Sequence, residues 1–375
     1  MTTSLPDEAR QMFSTVTEDG GLELALRPVP VPQPSGDEVL IRVEATPINP
    51  SDLAVMLSVA DSDGFKPLGY GARAEIPESM RRHVAARAGK PIPIGNEGAG
   101  TVVAAGDDPA AQALIGKVVA VAGGGCYTQF RIARARDCLA FPEGIGAEDA
   151  ASSFVNPMTT LGMIGTMRRE GYTGLVHTAA ASNLGQMLVK LTLAEGIPLV
   201  NIVRSQAQVD LLRGLGATHV VDSSQPDFMA KLIEAIAETQ AFLAFDAIGG
   251  GRLAGQILSA MEAAAVRTNP ANGPYGSDTM KQVYIYGGLS TAPTEINRGF
   301  GMKWGVGGWL LTPYLQAVGM EEVGKMRQKV AAEIHTTFVS NYTRRISLED
   351  AVQPDMIAAY NRRATGEKYL ILPQL

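Results

Sequence analysis

From Asn156 onwards, short apolar runs alternate with longer amphipathic segments, and this rhythm limits the possible fold more than any other feature of the sequence. The clearest unit is a predicted strand at 174–179, a helix at 184–195 and a second strand at 198–203. A further helix and further strands are predicted at 206–215, 219–222, 241–246 and 282–286. Such alternation is typical of a parallel sheet whose strands are joined by crossover helices. The sequence therefore predicts an α/β domain that begins near Asn156.

The segment before Asn156 has a different pattern. Residues 22–154 consist of short β-rich runs, such as 38–45, separated by turn residues, and this spacing predicts a compact β-rich domain. A chain of 375 residues also exceeds the length at which one hydrophobic core usually keeps growing, which favours two domains.

Between residues 52 and 95 the β pattern is interrupted by an excursion with a predicted helix at 78–87. Its arginines indicate a solvated helix face or, alternatively, a phosphate-binding role.

Charge and cysteine content argue against several classes of function. The net charge of −6 provides no overall field that would attract nucleic acid or an anionic membrane, so we expect a small-molecule partner, no nucleic acid and no membrane. Residues 1–20 contain acidic side chains and no long apolar run, which predicts a cytoplasmic protein. Cys126 and Cys138 are too few for a disulfide framework or a four-cysteine zinc site.

A turn of small residues follows the first predicted strand of the α/β domain. It is the segment 179–185 (AAASNLG), which places Ala179, Ser182 and Gly185 at the three-residue spacing of the glycine fingerprint and leads into the predicted helix. A dinucleotide fold needs a tight turn at this point, because the pyrophosphate must reach the N-terminal amides of the helix. The position of the turn therefore indicates a dinucleotide site, although only the last of its fingerprint positions is a glycine.

The end of the second predicted strand indicates which dinucleotide is bound. An acidic residue there would hydrogen-bond the ribose 2′-hydroxyl of NAD. This chain instead has Arg204 and Ser205, a cation and a hydroxyl, which suit a 2′-phosphate. The sequence thus predicts NADP(H) as the cofactor. The alternative is that Arg204 is a surface arginine at the start of a helix.

Four stretches, in their order along the chain, resemble one enzyme family. They are residues 45–52 (ATPINPSD), 95–100 (GNEGAG), 156–159 (NPMT) and 177–186 (HTAAASNLGQ). With these stretches, the chain resembles the medium-chain dehydrogenase/reductase superfamily, in its zinc-free quinone-reductase and enoyl-thioester-reductase branch. The resemblance implies an α/β fold with a GroES-like β-rich catalytic domain at 1–155 and 316–375, and a Rossmann domain with a doubly wound parallel sheet at 156–315.

The resemblance also implies which residues would line the cofactor. They lie at the start of the α/β domain, in the turn after its first strand, at the end of its second strand, after the strand at 282–286 and at two later positions: Asn156, Thr159, Ser182, Asn183, Leu184, Arg204, Ser205, Gly287, Gly288, Leu289, Trp309 and Lys368. Asn183 stands where the family usually has glycine. Asparagine tolerates a left-handed backbone better than most residues, so we expect the turn to be kept.

The implied reaction is hydride transfer from NADPH to an electron-poor carbon of a quinone, an enone or an enoyl thioester. Tyr70 would be the proton donor in this scheme, although it fits an ordinary loop residue equally well. Asn49 would orient the acceptor or the nicotinamide. Tyr127 and Thr159 are further polar candidates, and packing in the core is the simplest interpretation of His177.

The same resemblance indicates that no metal takes part. Zinc members of the superfamily carry a cysteine where this chain has Asn49 and a histidine where it has Asn96, and amides are poor zinc ligands. Two alternatives stay open: a catalytically idle NADPH-binding protein on the same fold and, with less support, a zinc alcohol dehydrogenase.

Residues 305–311 resemble the edge strand through which relatives pair, which predicts a homodimer.

Overall fold

The computed structural model describes residues 5–268, 273–364 and 366–375. The chain divides into two compact units, one containing the residues up to Val155 together with Arg327–Leu375, the other Asn156–Met326. The boundary that the sequence placed between residues 315 and 316 falls inside a helix, Leu311–Val318, and the second unit continues to Met326.

The N-terminal segment of the first unit is rich in strands. Apolar side chains alternate along them, so that Leu22, Leu24 and Leu26 are all buried on one face. The strands are β1 (Glu8–Val16), β2 (Gly21–Pro30), β3 (Glu38–Pro47), β4 (Lys66–Leu68), β5 (Gly71–Glu75), β6 (Ile92–Pro93), β7 (Glu97–Ala105), β8 (Val118–Ala122), β9 (Phe130–Arg134) and β10 (Leu139–Ala140). The helices are α1 (Pro50–Met56), α2 (Glu78–Val84), α3 (Pro109–Gln112) and α4 (Ala147–Ala150).

The second unit alternates strands and helices. Its strands are β11 (Leu175–His177), β12 (Leu199–Val203), β13 (His219–Asp222), β14 (Leu243–Asp246), β15 (Lys281–Ile285) and β16 (Trp304–Gly308). Its helices are α5 (Val155–Arg169), α6 (Asn183–Glu195), α7 (Gln206–Gly214), α8 (Phe228–Thr239), α9 (Leu253–Thr268), α10 (Leu311–Val318) and α11 (Met320–Ala332), of which the first begins at the boundary and the last continues past it.

The C-terminal segment completes the first unit. It contains β17 (Arg344–Ile346), α12 (Leu348–Ala351), α13 (Pro354–Asn361) and β18 (Tyr369–Ile371). The strand β18 pairs antiparallel with β3, where Ile371 lies opposite Thr46. The two ends of the chain therefore share one sheet, with strand order β10-β8-β7-β3-β18-β17 and β9 also paired with β3. A second sheet has the order β4-β5-β2-β1-β6.

The excursion at 52–95 extends this second sheet through β4 and β5. Its predicted helix is divided into α2 and a 3₁₀ turn, Ala85–Arg87. Arg73 pairs with Asp19 at 2.9 Å, and Arg87 donates a hydrogen bond to the carbonyl oxygen of Val55 at 3.1 Å. These arginines are therefore bound by groups of their own unit, as expected of structural or solvated side chains.

The sheet of the second unit has the order β13-β12-β11-β14-β15-β16, and all its neighbouring strands are parallel. All residues of β11, β12 and β14 are buried, as in parallel sheets that are covered on both faces. The predicted doubly wound parallel sheet is confirmed. Its order reverses beside β11, and ligands of such sheets bind outside the carboxyl ends of the strands at this point.

The strand β16 lies at one edge of this sheet and includes part of the segment predicted to pair two copies. Formation of a homodimer stays a prediction.

Across the described ranges of both units, no helix combines the length and the apolar character needed to cross a bilayer.

Candidate active site

The turn after β11 leads directly into α6. Ser182 is the N-cap residue of the helix, and its Oγ accepts a hydrogen bond from the backbone N–H of Gly185 at 3.2 Å. Ala179 has a positive φ of 50°, whereas Asn183 is the first residue of the helix. The turn is kept without a left-handed residue at position 183: the chain reverses earlier, at Ala179, so that Asn183 needs only helical dihedrals.

Gly185 allows the first turn of α6 to pack on the turn before it. A Cβ at this position would lie 2.1 Å from the carbonyl oxygen of Ala180, a distance that no real side chain shows. This is the role of the last glycine in a dinucleotide fingerprint, since a helix that lies close to the turn offers its N-terminal amides to an anion.

Asp246, the last residue of β14, is hydrogen-bonded to the end of β11, at the point where the strand order reverses. Its carboxylate accepts hydrogen bonds from Thr178 Oγ1 at 2.7 Å and from the backbone N–H groups of Ile248 at 2.9 Å and Gly249 at 3.2 Å. Sequence reasoning did not single out Thr178 or Asp246. The available signal was an acidic residue directly after a buried strand.

The loop after β15 lies against the loop after β14. A Cβ at Gly287 would lie 2.7 Å from the carbonyl oxygen of Ala247, and Leu289 N donates to the same oxygen at 3.1 Å. At Gly288, in contrast, an added Cβ would have nothing within 4 Å. The predicted cofactor residues Gly287, Gly288 and Leu289 are therefore brought to the same edge of the sheet as the turn after β11.

Arg204 and Ser205 follow β12 at this edge. The backbone N–H of Ala180 donates to the carbonyl oxygen of Ile202 at 3.2 Å, which places the small-residue turn beside the end of β12. Arg204 is exposed and Ser205 is the N-cap residue of α7. The structure thus brings an exposed cation to the strand end at which a 2′-phosphate would lie.

Asn156, Thr159 and Trp309 are buried in the second unit, the first two in α5. The indole N–H of Trp309 donates to Thr166 Oγ1 at 3.0 Å, and its ring meets Phe245 edge-on with centroids 5.5 Å apart. These contacts give Trp309 a packing role inside the unit, and its contact with a cofactor stays a prediction, as it does for Asn156 and Thr159.

His177 is fully buried, with Nε2 at 2.7 Å from the hydroxyl of Tyr286. Burial lowers the pKa of His177 to about 3, so the ring is neutral at physiological pH. This agrees with its interpretation as a core histidine.

A cluster of polar side chains is buried in the first unit. Asn49, at the start of α1, donates from Nδ2 to Glu97 Oε1 at 2.8 Å. The other oxygen of Glu97 accepts from the backbone N–H groups of Phe154 and Val155, at 2.8 and 2.9 Å. The Glu97 carboxylate is thus satisfied on both oxygens, and it determines which end of the Asn49 amide is the donor.

Asp52 belongs to the same cluster. Its carboxylate accepts from the backbone N–H groups of Asn49 at 2.8 Å and Asn96 at 2.7 Å. Burial raises the pKa of Asp52 to about 7, and the nearby Glu97 adds to this rise. Burial also raises the pKa of Glu97, while the ammonium of Lys368 opposes that rise.

Lys368, which the resemblance placed at the cofactor, lies in this cluster of the first unit. Its Nζ is 3.5 Å from Asn49 Oδ1 and 5.7 Å from the ring centroid of Tyr342. Burial lowers the pKa of Lys368 to about 8, and the carboxylates of Glu97 and Asp52 oppose this change. Sequence reasoning did not assign roles to Glu97 and Asp52, although both lie in the motifs at 95–100 and 45–52.

The two tyrosines considered for catalysis have different surroundings. Tyr70 lies between β4 and β5 and is 84% exposed as a residue, and its role as proton donor stays a prediction. Tyr127 is fully buried and donates from its hydroxyl to the carbonyl oxygen of Pro47 at 3.0 Å. Tyr127 is therefore held as a structural residue.

The two amides that stand at zinc-ligand positions both act as hydrogen-bond donors. Asn96 donates from Nδ2 to Ser51 Oγ at 3.0 Å, as Asn49 does to Glu97. Over the part of the chain with described coordinates, no three or more His, Cys, Asp or Glu side chains are grouped as a metal site.

Comparison with known proteins adds a family context. The family model described as "Alcohol dehydrogenase GroES-like domain" matches residues 35–169. The mitochondrial enoyl-[acyl-carrier-protein] reductase of Xenopus tropicalis is 28% identical over 209 residues, which cover 54% of this chain and 53% of that protein. A quinone oxidoreductase of Pseudomonas aeruginosa is 29% identical over 165 residues, covering 43% of this chain and 50% of that protein. The chain thus matches about half the length of these curated relatives.

Solved structures match over nearly the whole chain. A Mesorhizobium loti protein named as a candidate NADPH:quinone reductase has a TM-score of 0.74 and 27% identity, covering 99% of this chain and 100% of that one. The Escherichia coli quinone oxidoreductase complexed with NADPH has a TM-score of 0.67 at 18% identity, covering 97% and 100%, and supports the fold alone. The predicted fold class, a GroES-like domain plus a Rossmann domain, is confirmed.

Proposed function

We propose that this chain, which belongs to the medium-chain dehydrogenase/reductase superfamily in its quinone-reductase and enoyl-thioester-reductase branch, is an NADP(H)-dependent oxidoreductase that works without zinc. Its acceptor would be a quinone or an activated C=C bond, as in an enone or an enoyl thioester. The names of the relatives support both acceptor classes.

The observation that carries the proposal is the contact between Gly185 and Ala180. The absence of a Cβ at position 185 lets the start of α6 lie against the preceding turn, with Ser182 as its cap. The first-turn amides of α6 would hold the pyrophosphate, and the loop at Gly287 and Gly288 would approach the nicotinamide end. When bound, the cofactor supplies the hydride.

Arg204 supports NADP(H) over NAD(H). Its guanidinium is exposed beside the end of β12, where a cation would pair with the 2′-phosphate. No acidic residue occupies position 204 or 205 to bind a free 2′-hydroxyl.

Independence of zinc is supported by Asn49 and Asn96. Each uses its amide nitrogen as a donor, to Glu97 and to Ser51, and an amide nitrogen has no lone pair to offer a metal. Polar groups of the chain would then stabilise the charge that develops on the acceptor oxygen.

The proposal is tested by NADPH oxidation with a panel of quinones, enones and enoyl thioesters, before and after dialysis against a chelator. We expect turnover of at least one acceptor class with NADPH, unchanged by the chelator. Tight NADPH binding without turnover of any acceptor would favour the catalytically idle alternative. Loss of activity on chelation and its return with zinc would favour the alcohol dehydrogenase alternative.

A further inference from the structure

A cavity lies inside the second unit, between the C-terminal part of α5, the ends of β15 and β16, and α10. It is lined by residues of the stretches 166–170, 284–288 and 308–317, and we call it the α5–α10 cavity. All of these residues belong to the second unit, so the first unit contributes no residue to the lining. Its volume of about 920 Å³ is within the range of small-molecule sites.

Aromatic rings form much of the lining: Tyr284, Tyr286, Trp309 and Tyr314. Two glycines of α5 let two of these rings lie close to the helix. A Cβ at Gly162 would lie 3.0 Å from the Trp309 ring, and one at Gly165 would overlap the hydroxyl of Tyr314. The centroids of the Trp309 and Tyr314 rings are 6.0 Å apart. Such ring faces favour a planar ligand that can stack on them.

Tyr286 has a hydroxyl hydrogen available for a ligand. The hydroxyl lies 2.7 Å from Nε2 of His177, whose buried Nδ1 has no hydrogen-bond partner within the described ranges. A proton on Nδ1 would be a buried unsatisfied donor, which is rarer in proteins than an unsatisfied acceptor. We therefore assign the proton of this neutral ring to Nε2. Nε2–H then donates to the tyrosine oxygen, and the hydroxyl hydrogen of Tyr286 has no acceptor in the described part of the chain.

The polar groups of the lining are donors without acceptors. Burial raises the pKa of Tyr286, and the carboxylate of Asp246 adds to the rise, so the hydroxyl keeps its proton. The hydroxyl of Tyr314 also has no hydrogen-bond partner among the described residues. The carboxylate in the lining, Glu170, already accepts from the hydroxyl of Tyr284 at 2.7 Å. This set complements an aromatic ligand that carries carbonyl oxygens and no donors of its own.

We propose that the α5–α10 cavity binds a quinone ring, which stacks on the aromatic lining and accepts a hydrogen bond from the hydroxyl of Tyr286. The choice of a quinone among aromatic carbonyl compounds rests on the proposed function. The binding itself requires neither NADPH nor turnover, because every group that carries it belongs to the chain.

Single-tryptophan variants test where a quinone binds. The chain has two tryptophans. Trp304→Phe leaves Trp309 in the lining, whereas Trp309→Phe keeps an aromatic ring there and leaves Trp304, which packs edge-on against Phe300 outside the lining. The probe is menadione, a naphthoquinone, added without cofactor. We expect saturable quenching of Trp309 fluorescence and only collisional quenching, linear in menadione, of Trp304. Linear quenching of both tryptophans overturns the inference.

Tyr286→Phe tests the hydrogen bond, because it removes the hydroxyl and keeps the ring. We expect the Kd of menadione to rise about 3- to 10-fold. The Kd of 2-methylnaphthalene, which has the same rings without oxygens, should change less than about twofold. Tyr275→Phe, at a residue of the same unit that is 77% exposed, is the control and should alter neither value. An equal loss for both ligands, or no loss for menadione, would contradict the donor role of Tyr286.

Two competition experiments test other occupants of the cavity. Displacement of menadione by saturating NADP⁺ would assign the cavity to the cofactor, and a Kd that rises with protein concentration would assign it to a second copy of the chain. Either result overturns the inference.

The proposed function fails separately. If menadione quenches Trp309 saturably but NADPH reduces no quinone, enone or enoyl thioester, the proposed function is wrong and the binding site stands. If the wild type reduces quinones without saturable quenching of Trp309, only the inference is wrong.

Discussion

The turn after β11 and the polar cluster around Asn49 are two kinds of site. The turn is formed by backbone, since Gly185 and Ser182 act through amides and through a missing Cβ within a few residues of one another. The cluster is formed by side chains far apart in sequence: 48 residues separate Asn49 from Glu97, and 319 separate it from Lys368. We expect the turn, being made of backbone, to suit a phosphate group of constant shape, whereas the cluster can be changed one side chain at a time.

This difference predicts different responses to substitution. A change in the turn acts through steric fit, so it affects both folding and cofactor binding. A change in the cluster acts through charge and hydrogen bonding, so it affects protonation and turnover. The following experiments are arranged from the largest expected effect to the smallest.

Gly185→Val should give the largest effect, because its side chain would meet the Ala180 carbonyl. We expect the Kd of NADPH to rise at least about 100-fold and the free energy of unfolding to fall by about 1–3 kcal/mol. Urea denaturation and fluorescence titration measure these quantities.

The matched control is Gly214→Ala, at the end of α7, where nothing lies within 4 Å of an added Cβ. It should change the free energy of unfolding by less than about 1 kcal/mol and leave NADPH binding intact. If the two variants had the same NADPH affinity and the same free energy of unfolding, the close contact at Gly185 would not explain cofactor binding by the turn.

Arg204→Ala should weaken NADPH selectively. Loss of a charge-assisted bond to the 2′-phosphate is expected to raise the Kd of NADPH about 10- to 100-fold and that of NADH less than about threefold. Arg213→Ala, an exposed arginine of the same helix region, is the control and should alter neither. An equal loss for both cofactors would show that Arg204 acts through structure.

Asp52→Asn should give a smaller effect, on the pH dependence of stability. The pKa of Asp52 is about 7 in the folded protein and about 4 in an unfolded chain. Between about pH 4 and pH 7, Asp52 is therefore protonated in the folded state and ionised in the unfolded state. The free energy of unfolding consequently falls as pH rises through this range.

Asp52→Asn should reduce this fall by about 1–2 kcal/mol, measured by urea denaturation at pH 5 and pH 7.5. Asp107→Asn, an exposed position of the same unit, should leave the fall unchanged. A wild-type stability that rises across this interval and is insensitive to Asp52→Asn would contradict the account of the cluster.

The contrast between the two regions also explains what the sequence could predict. The strands around β11 and β12 were predictable because their apolar runs are continuous and their turns are local. The turn before α6 was predictable because Ser182 and Gly185 lie at fixed spacing from a strand. Even there, the sequence did not indicate that the positive φ of the turn lies at Ala179, since φ depends on where the chain reverses and not on which residue tolerates reversal best.

The cluster could not be predicted from local pattern. Nothing near Lys368 in the sequence indicates that β18 pairs with β3 and brings this lysine to Asn49. Asp52 and Glu97 stood in recognised motifs, but their mutual effect on pKa depends on burial, which only the folded chain shows. Long-range side-chain sites are therefore where a structure adds most to a family resemblance.

Calorimetric titration of the wild-type protein with NADPH and with NADH tests the central claim most directly. The backbone turn before α6, together with Arg204, predicts saturable one-to-one binding of NADPH that is at least about tenfold tighter than that of NADH. Absence of heat with either dinucleotide, on protein that unfolds cooperatively, would contradict the assignment of this turn as a cofactor site.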